Sequence, residues 1–227
     1  MFFSMLAAPS AFDFAAIFGN FLTKWYLYVI LAVFVSALLV FAVVFRKKFR
    51  YPISGSKRLT TAAVAVALCF IANAFSFGPQ GWKFSLTPLV CFITGFLFPP
   101  HYAFFIGFTG DLIAGITVPQ GVYNPIIGIA SGIWALVPSL FFCFNDRAPF
   151  IKTAISYAVC FVVCSLLINT MATYYMYFSY YSKQYATLGA YFLARIAPTA
   201  ASVLGLNMTA SLILVKPLAN LKRLLVK

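Results

Sequence analysis

The chain consists of long apolar runs separated by short polar or basic breaks. The runs fall at approximately 25–45, 59–77, 84–98, 101–117, 125–144, 150–178 and 188–215. An apolar run of about 20 residues is long enough to cross the hydrocarbon core of a membrane as a helix. The pattern therefore predicts an all-α, multi-pass membrane protein with seven transmembrane spans.

Composition agrees with this class and excludes most others. Hydrophobic residues make up 63% of the chain and charged residues only 8%, which no soluble domain of this size needs. With three acidic residues and one histidine, paired general acids and bases are scarcely available, and no Walker, HExxH or GxSxG motif occurs. We therefore predict that the chain is not an enzyme. The cysteines lie in apolar runs without a CxxC motif, so we also predict no metal site and no cofactor.

The positions of the basic residues predict how the chain is oriented. Six cations lie between residues 46 and 58, and Arg147, Lys152, Lys216, Lys222, Arg223 and Lys227 fall on the same side when the runs alternate. This side therefore holds twelve of the sixteen basic residues. Because short cytoplasmic loops are enriched in Lys and Arg, we predict an outer N-terminus and a cytoplasmic C-terminus, and no nucleic-acid partner.

Three irregular segments on the opposite side, at 77–83, 117–124 and 177–189, carry aromatic and amide side chains. The candidate ligand contacts among them are Trp82, Lys83, Gln120, Tyr123 and Asn124. For any one of these residues, an interfacial aromatic belt or an ordinary turn is the better interpretation. Taken together, apolar walls with a few polar groups are typical of a small-molecule site.

Polar residues inside the runs point to the same side. Ionisable groups in a membrane are costly and mark functional sites by default. Asn73, Asp111, Asn169 and Arg195 can face one outer cavity, together with Tyr191. For Asp111, a structural hydrogen bond to the backbone or a pairing with Arg195 is as good an interpretation as ligand contact. For Arg195 we favour ligand contact, because a guanidinium can bind an anionic carboxylate through two hydrogen bonds.

The helix predicted from residue 59 carries small side chains at a four-residue spacing, with Ala63 and Ala67 forming an AxxxA pattern. Small residues let membrane helices approach closely. This surface can serve a partner protein or packing within the bundle.

The order of these features resembles a known family. A basic cytoplasmic segment, an AxxxA helix, a lysine-bearing outer loop, a short helix ending in Phe98-Pro99, a Gly110-Asp111 helix and the loop VPQGVYNP follow one another. Asn169-Thr170 and Ala194-Arg195-Ile196 come later. The pattern is similar to the substrate-binding S components of energy-coupling factor vitamin transporters, and most similar to the folate-type branch.

The resemblance implies a six-helix core at 58–227 that captures a vitamin with high affinity from outside the cell. It also implies a bacterial plasma-membrane location, a transmembrane coupling subunit and two cytoplasmic ATPase subunits as partners. Ala63 and Ala67 match the family's docking motif, and Asp111, Tyr123, Asn169 and Arg195 fall at positions near its pocket. Residues 1–57 form a separate N-terminal segment with an extra transmembrane helix and the basic loop.

The chain departs from the folate-type pattern at three points. Asn73 stands where these members commonly have arginine, no tryptophan follows Asn169-Thr170 closely, and the helix at 25–45 is additional. Pantothenate, cobalamin or another water-soluble vitamin therefore stays an alternative to folate. A proton-coupled secondary carrier, with Asp111 as its titrating group, is the alternative from a different class.

Overall fold

The structure is a computed structural model that describes residues 55–76, 84–118, 123–144, 148–185 and 187–226, and five isolated positions between 29 and 40. The helices in these ranges are α1 (Gly55–Ala74), α2 (Thr87–Leu97), α3 (Pro100–Thr117), α4 (Pro125–Phe144), α5 (Pro149–Met176) and α6 (Phe178–Gln184). The last helix, α7, runs without interruption through Leu188–Ala200, Ala201–Met208 and Thr209–Val226. The predicted all-α class is confirmed for this part of the chain.

Proline residues define where most of these helices begin. Pro88, Pro100 and Pro149 occupy the first or second position of α2, α3 and α5, and Pro125 is the first residue of α4. The fixed φ of proline suits the first helical turn, and its missing N–H is not needed there. The breaks between apolar runs therefore also act as helix starts.

Helix α4 lies in the middle of the bundle and contacts α2, α3 and α5. Glycines on its neighbours make these contacts close. A Cβ added at Gly95 of α2 would lie 2.2 Å from the carbonyl oxygen of Ala135, and one added at Gly107 of α3 would lie 2.7 Å from that of Ser131. Close backbone approach of this kind is typical of helix packing in membranes.

Aromatic side chains and one buried hydroxyl pair join α2, α4, α5 and α7. The ring of Tyr157 lies 5.5 Å from that of Phe92 and 5.4 Å from that of Trp134. Its hydroxyl is hydrogen-bonded to the Ser211 hydroxyl at 2.6 Å and donates to the Pro88 carbonyl at 3.3 Å. The start of α2 is thereby fixed at the level of Tyr157 on α5.

Cations gather at one end of the bundle. Lys152 donates to the carbonyl of Phe141 at 2.9 Å, and Lys222 donates to that of Phe142 at 3.3 Å, so both contact the carboxyl end of α4. Arg58 lies over the ring of Tyr102 near the start of α3. The starts of α1, α3 and α5 and the carboxyl ends of α2, α4 and α7 thus lie at this end of the bundle.

Among the described residues, four helices are long and apolar enough to cross a membrane: Ser56–Ala74, Pro125–Phe142, Pro149–Met176 and Leu188–Leu224. Helix α2 is apolar but shorter. Helices α5 and α7 each contain a π-helical stretch, at Phe161–Asn169 and Ala201–Met208. The predicted extra helix at 25–45 lies outside the described residues except at the five isolated positions, all of which are helical.

Two boundaries differ from the prediction. The last apolar run predicts a helix that ends near residue 215, but α7 continues to Val226 and includes Pro217. The helix continues because α7 still packs on α2 and α5 there, burying Val215 and Leu218. The segment 177–189 is predicted to be irregular, but it contains α6, in which Tyr180 packs on Tyr181 and Tyr181 packs on Tyr191.

Candidate ligand-binding site

Seven of the predicted ligand contacts lie in the described part of the chain. They are Asn73, Asp111, Tyr123, Asn124, Asn169, Tyr191 and Arg195. Trp82, Lys83 and Gln120 lie outside the described residues, and their roles stay predictions.

Asp111 is held between α3 and α4. Its side chain is 7% exposed, and Oδ1 accepts a hydrogen bond from the Ser131 hydroxyl at 3.1 Å. The preceding Gly110 permits close packing on α1, because a Cβ there would lie 2.4 Å from that of Cys69. Within the described residues Asp111 does not pair with Arg195. Of the structural roles, the carboxylate therefore has a hydrogen bond, which Ser131 donates. The second carboxylate oxygen, Oδ2, faces Gly128.

Tyr123 lies beside this carboxylate, and two glycines make room for it. A Cβ added at Gly115 would lie 2.1 Å from the tyrosine ring, and one added at Gly128 would lie 2.4 Å from the hydroxyl and 3.1 Å from Asp111 Oδ2. The hydroxyl is buried, and the Asp111 carboxylate lies within its reach as an acceptor. Burial, followed by the charge of Asp111, raises the pKa of the phenol, so the hydroxyl stays protonated and can donate.

Asn124 caps the start of α4. Its Oδ1 accepts a hydrogen bond from the backbone N–H of Ile126 at 3.0 Å, and its backbone carbonyl accepts from Ile127 at 3.0 Å. This is the usual role of asparagine at a helix N-terminus. Capping explains the position of Asn124, and ligand contact stays a prediction.

Asn73 belongs to a chain of polar contacts at the junction of α1 and α2. Its Nδ2 donates to the Cys69 carbonyl at 3.1 Å, and its Oδ1 accepts from the Thr87 hydroxyl at 2.8 Å. The hydroxyl of Ser85 is 2.6 Å from that of Thr87 and donates to the Ala72 carbonyl. Asn73 therefore has partners for both ends of its amide.

This chain of contacts continues to Asn207 of α7, which the sequence reasoning missed. Asn207 is fully buried, and its Nδ2 donates to the carbonyls of Ser85 at 3.0 Å and Ser202 at 2.8 Å. Its Oδ1 has no hydrogen-bond partner within the described residues. A single asparagine inside an apolar run was the available signal, and it is the same signal that identified Asn169.

Arg195 and Tyr191 contact each other on α7. The guanidinium donates to the Tyr191 hydroxyl at 3.0 Å and lies 5.6 Å from the centre of its ring. The Tyr191 ring is 3% exposed and lies 4.6 Å from that of Tyr181, 5.3 Å from that of Tyr185 and 5.4 Å from that of Tyr174. We call these four tyrosines the tyrosine cluster, and Arg195 contacts it through Tyr191.

Asn169 ends the π-helical stretch of α5. Its backbone carbonyl accepts from the Thr173 hydroxyl at 2.6 Å, whereas its side-chain Oδ1 is buried without a partner among the described residues. Four polar residues, Asn73, Asp111, Asn169 and Arg195, were predicted to face one cavity. No two of them are hydrogen-bonded to each other in the described ranges, and each has its own surroundings.

Comparisons with known proteins identify the family. The family model described as "ECF transporter, substrate-specific component" matches residues 57–215. The chain belongs to this family. Among solved structures, the fold is similar to "Crystal structure of FolT bound with folic acid", with a TM-score of 0.59 and 16% sequence identity over 72% of this chain and 97% of that one. No curated protein sequence matches. The predicted resemblance to the substrate-specific components of energy-coupling factor transporters is thereby confirmed.

Proposed function

We propose that this chain is the vitamin-binding subunit of an energy-coupling factor importer in the bacterial plasma membrane, with folate as its first candidate ligand. The supporting observation is a pair of buried amide oxygens that have no hydrogen-bond partner in the described part of the chain: Asn169 Oδ1 and Asn207 Oδ1. Leaving one such group unsatisfied costs about 1–3 kcal/mol. A polar molecule bound inside the bundle would supply the missing partners.

Folate suits the groups around α7. A ring system can stack on the tyrosine cluster, and an anionic carboxylate can form two hydrogen bonds with Arg195. Folic acid carries both features, and it is the ligand in the structure of FolT with the similar fold. Pantothenate also has a carboxylate and, with cobalamin, stays an alternative. Trp82, Lys83, Gln120 and Asn124 complete the proposed site.

We further infer seven spans, an outer N-terminus and a cytoplasmic C-terminus, with residues 1–57 preceding a core at 58–227. The cations that gather at one end of the bundle, Arg58, Lys152 and Lys222, support a cytoplasmic position for that end. The predicted ligand-binding loops belong to the opposite end, where α6 lies. External thiol labelling of a cysteine introduced at Gln120 tests this, and labelling from the inside alone would contradict it.

The inferred partners are a transmembrane coupling subunit and two cytoplasmic ATPases. Ala63 and Ala67 are exposed on α1, opposite the buried Ala65 and Cys69, so they are accessible to a partner helix. Changing both to leucine should preserve vitamin binding and reduce co-purification with the coupling subunit. Intact assembly together with lost binding would show that this face of α1 serves the ligand site instead.

Binding by the purified protein tests the function. We expect one vitamin to bind tightly in detergent without ATP, and mass spectrometry of co-purified small molecules to identify it. Vesicles should accumulate it only with the partner subunits and ATP. A proton-coupled carrier is the second candidate because Asp111 is a buried carboxylate. Uptake driven by a proton gradient with this chain alone would establish that candidate and reject the importer subunit.

A further inference from the structure

The orientation of the Asn207 side chain is determined by its neighbours. Its amide nitrogen faces two carbonyl oxygens, those of Ser85 and Ser202, at 3.0 and 2.8 Å. The reverse orientation would bring three oxygen acceptors together without a hydrogen between them. The Oδ1 is therefore the atom that lacks a partner, and only an N–H or O–H group can supply one.

Asn207 lies where two helices end and two others continue. Ser85, its partner, immediately precedes the start of α2, and the Ser85 hydroxyl donates to the carbonyl of Ala72 near the end of α1. By contrast, α7 starts at Leu188, well before Asn207. The length of helix between these two residues is at most about 28 Å at the helical rise of about 1.5 Å per residue. Helix α5 likewise continues beyond the level of α2 as far as Met176. Asn207 thus lies at the level where α1 ends and α2 begins, beside the parts of α5 and α7 that extend further. This level is on the side of the predicted ligand-binding loops.

The backbone around Asn207 has a conformation that is rare in ordinary helices. Asn207 belongs to the π-helical stretch Ala201–Met208, and its side chain bonds to the carbonyl five residues earlier. Short π-helical insertions occur frequently at functional sites. The wider turn leaves the amide oriented toward α2 rather than toward lipid.

We propose that Asn207 is a specificity-determining residue whose Oδ1 accepts a hydrogen bond from an N–H group of the bound vitamin. This rests on the proposed function. The geometry selects ligands that place an N–H donor next to Asn207. It disfavours analogues in which that donor is methylated or removed, because the buried Oδ1 is then left without a partner.

The test measures folic acid binding to the full-length protein in detergent. The probes are folic acid and a series of analogues in which each N–H donor is removed or methylated one at a time. Asn207→Ala should weaken folic acid binding at least tenfold. One analogue should bind the wild-type protein and Asn207→Ala with the same affinity, within about twofold, because the hydrogen bond is absent in both cases.

Two control variants separate this role from a structural one. Ser211→Ala removes a buried hydrogen bond on the same helix, to Tyr157, and Asn220→Ala removes an exposed asparagine of α7. Both should bind folic acid as the wild type does. Asn207→Leu, which keeps the side-chain volume but has no hydrogen-bond acceptor, provides a second variant if Asn207→Ala does not fold.

The possible failures are distinguishable. Unchanged folic acid affinity in folded Asn207→Ala or Asn207→Leu overturns this inference and leaves the proposed function intact. An equal loss for folic acid and every analogue also overturns it, since it indicates a structural role or a bound water. If the wild-type protein does not bind folic acid, the folate assignment fails and this inference fails with it.

Discussion

Gly128→Ala probes the pairing of Tyr123 and Asp111 with a single methyl group. The added Cβ would lie 2.4 Å from the Tyr123 hydroxyl and 3.1 Å from Asp111 Oδ2. An ordinary carbon–oxygen contact is near 3.4 Å, so the hydroxyl has to move by about 1 Å, which is more than the distance range of a hydrogen bond permits. The variant therefore displaces the two polar groups that we place in the site.

The magnitude follows from what each group contributes. A neutral hydrogen bond contributes about 0.5–1.5 kcal/mol and one to a charged group about 1.5–3 kcal/mol. Losing a ligand contact to Tyr123 alone predicts binding weakened several-fold, and losing both contacts predicts about 100-fold. Global stability should change less, because overpacking costs about 1–3 kcal/mol and replacing glycine inside a helix recovers about 1 kcal/mol.

Isothermal titration with folic acid and thermal unfolding in the same detergent measure both effects. Gly205→Ala is the matched control, because a Cβ at this α7 position meets nothing within 4 Å, and it should bind normally with equal or slightly higher stability. A folded Gly128→Ala protein with wild-type affinity would refute the placement of Tyr123 and Asp111 in the site.

Two further substitutions test other parts of the bundle. Arg195→Ala should weaken an anionic vitamin by about 1.5–3 kcal/mol, through loss of a charged hydrogen bond, whereas Tyr191→Phe, which keeps the ring, should have a smaller effect. Equal titration curves for Arg195→Ala and the wild type would place the guanidinium outside the site. Tyr157→Phe removes hydrogen bonds between α5, α7 and α2 and should lower stability by about 1–3 kcal/mol in thermal unfolding. Folic acid affinity should not change, and a large loss would extend the site to that level.

Hydrophobic runs predicted the core helices well because length and apolar composition alone determine what can cross a membrane. They failed where a helix depends on packing. The last apolar run ends near residue 215, yet α7 continues past Lys216 and Pro217 because Leu218 on its other face remains buried. Tyr180 and Tyr181 suggested an irregular loop, because a helix as short as α6 produces no apolar run.

From the sequence, the candidate site could be predicted only as a set of polar residues whose burial in a membrane is energetically costly. Asp111 and Arg195 were identified because charge is costly in lipid, but their partners depend on how distant segments pack. Nothing in the sequence indicates that Ser131 donates to Asp111 or that Gly128 leaves space for Tyr123. These are properties of the contact between α3 and α4.

The separation of Asp111 from Arg195 has a consequence for ligand charge. Had the two formed an ion pair, the guanidinium would already be neutralised, and an anionic ligand would have to compete with the carboxylate. Within the described residues Arg195 instead donates to Tyr191, a neutral acceptor, which orients the guanidinium without cancelling its charge. Asp111 is likewise held by a neutral donor, Ser131. A ligand with an anionic group at one end and N–H donors at the other would match both charges, whereas a simple dianion would match only one.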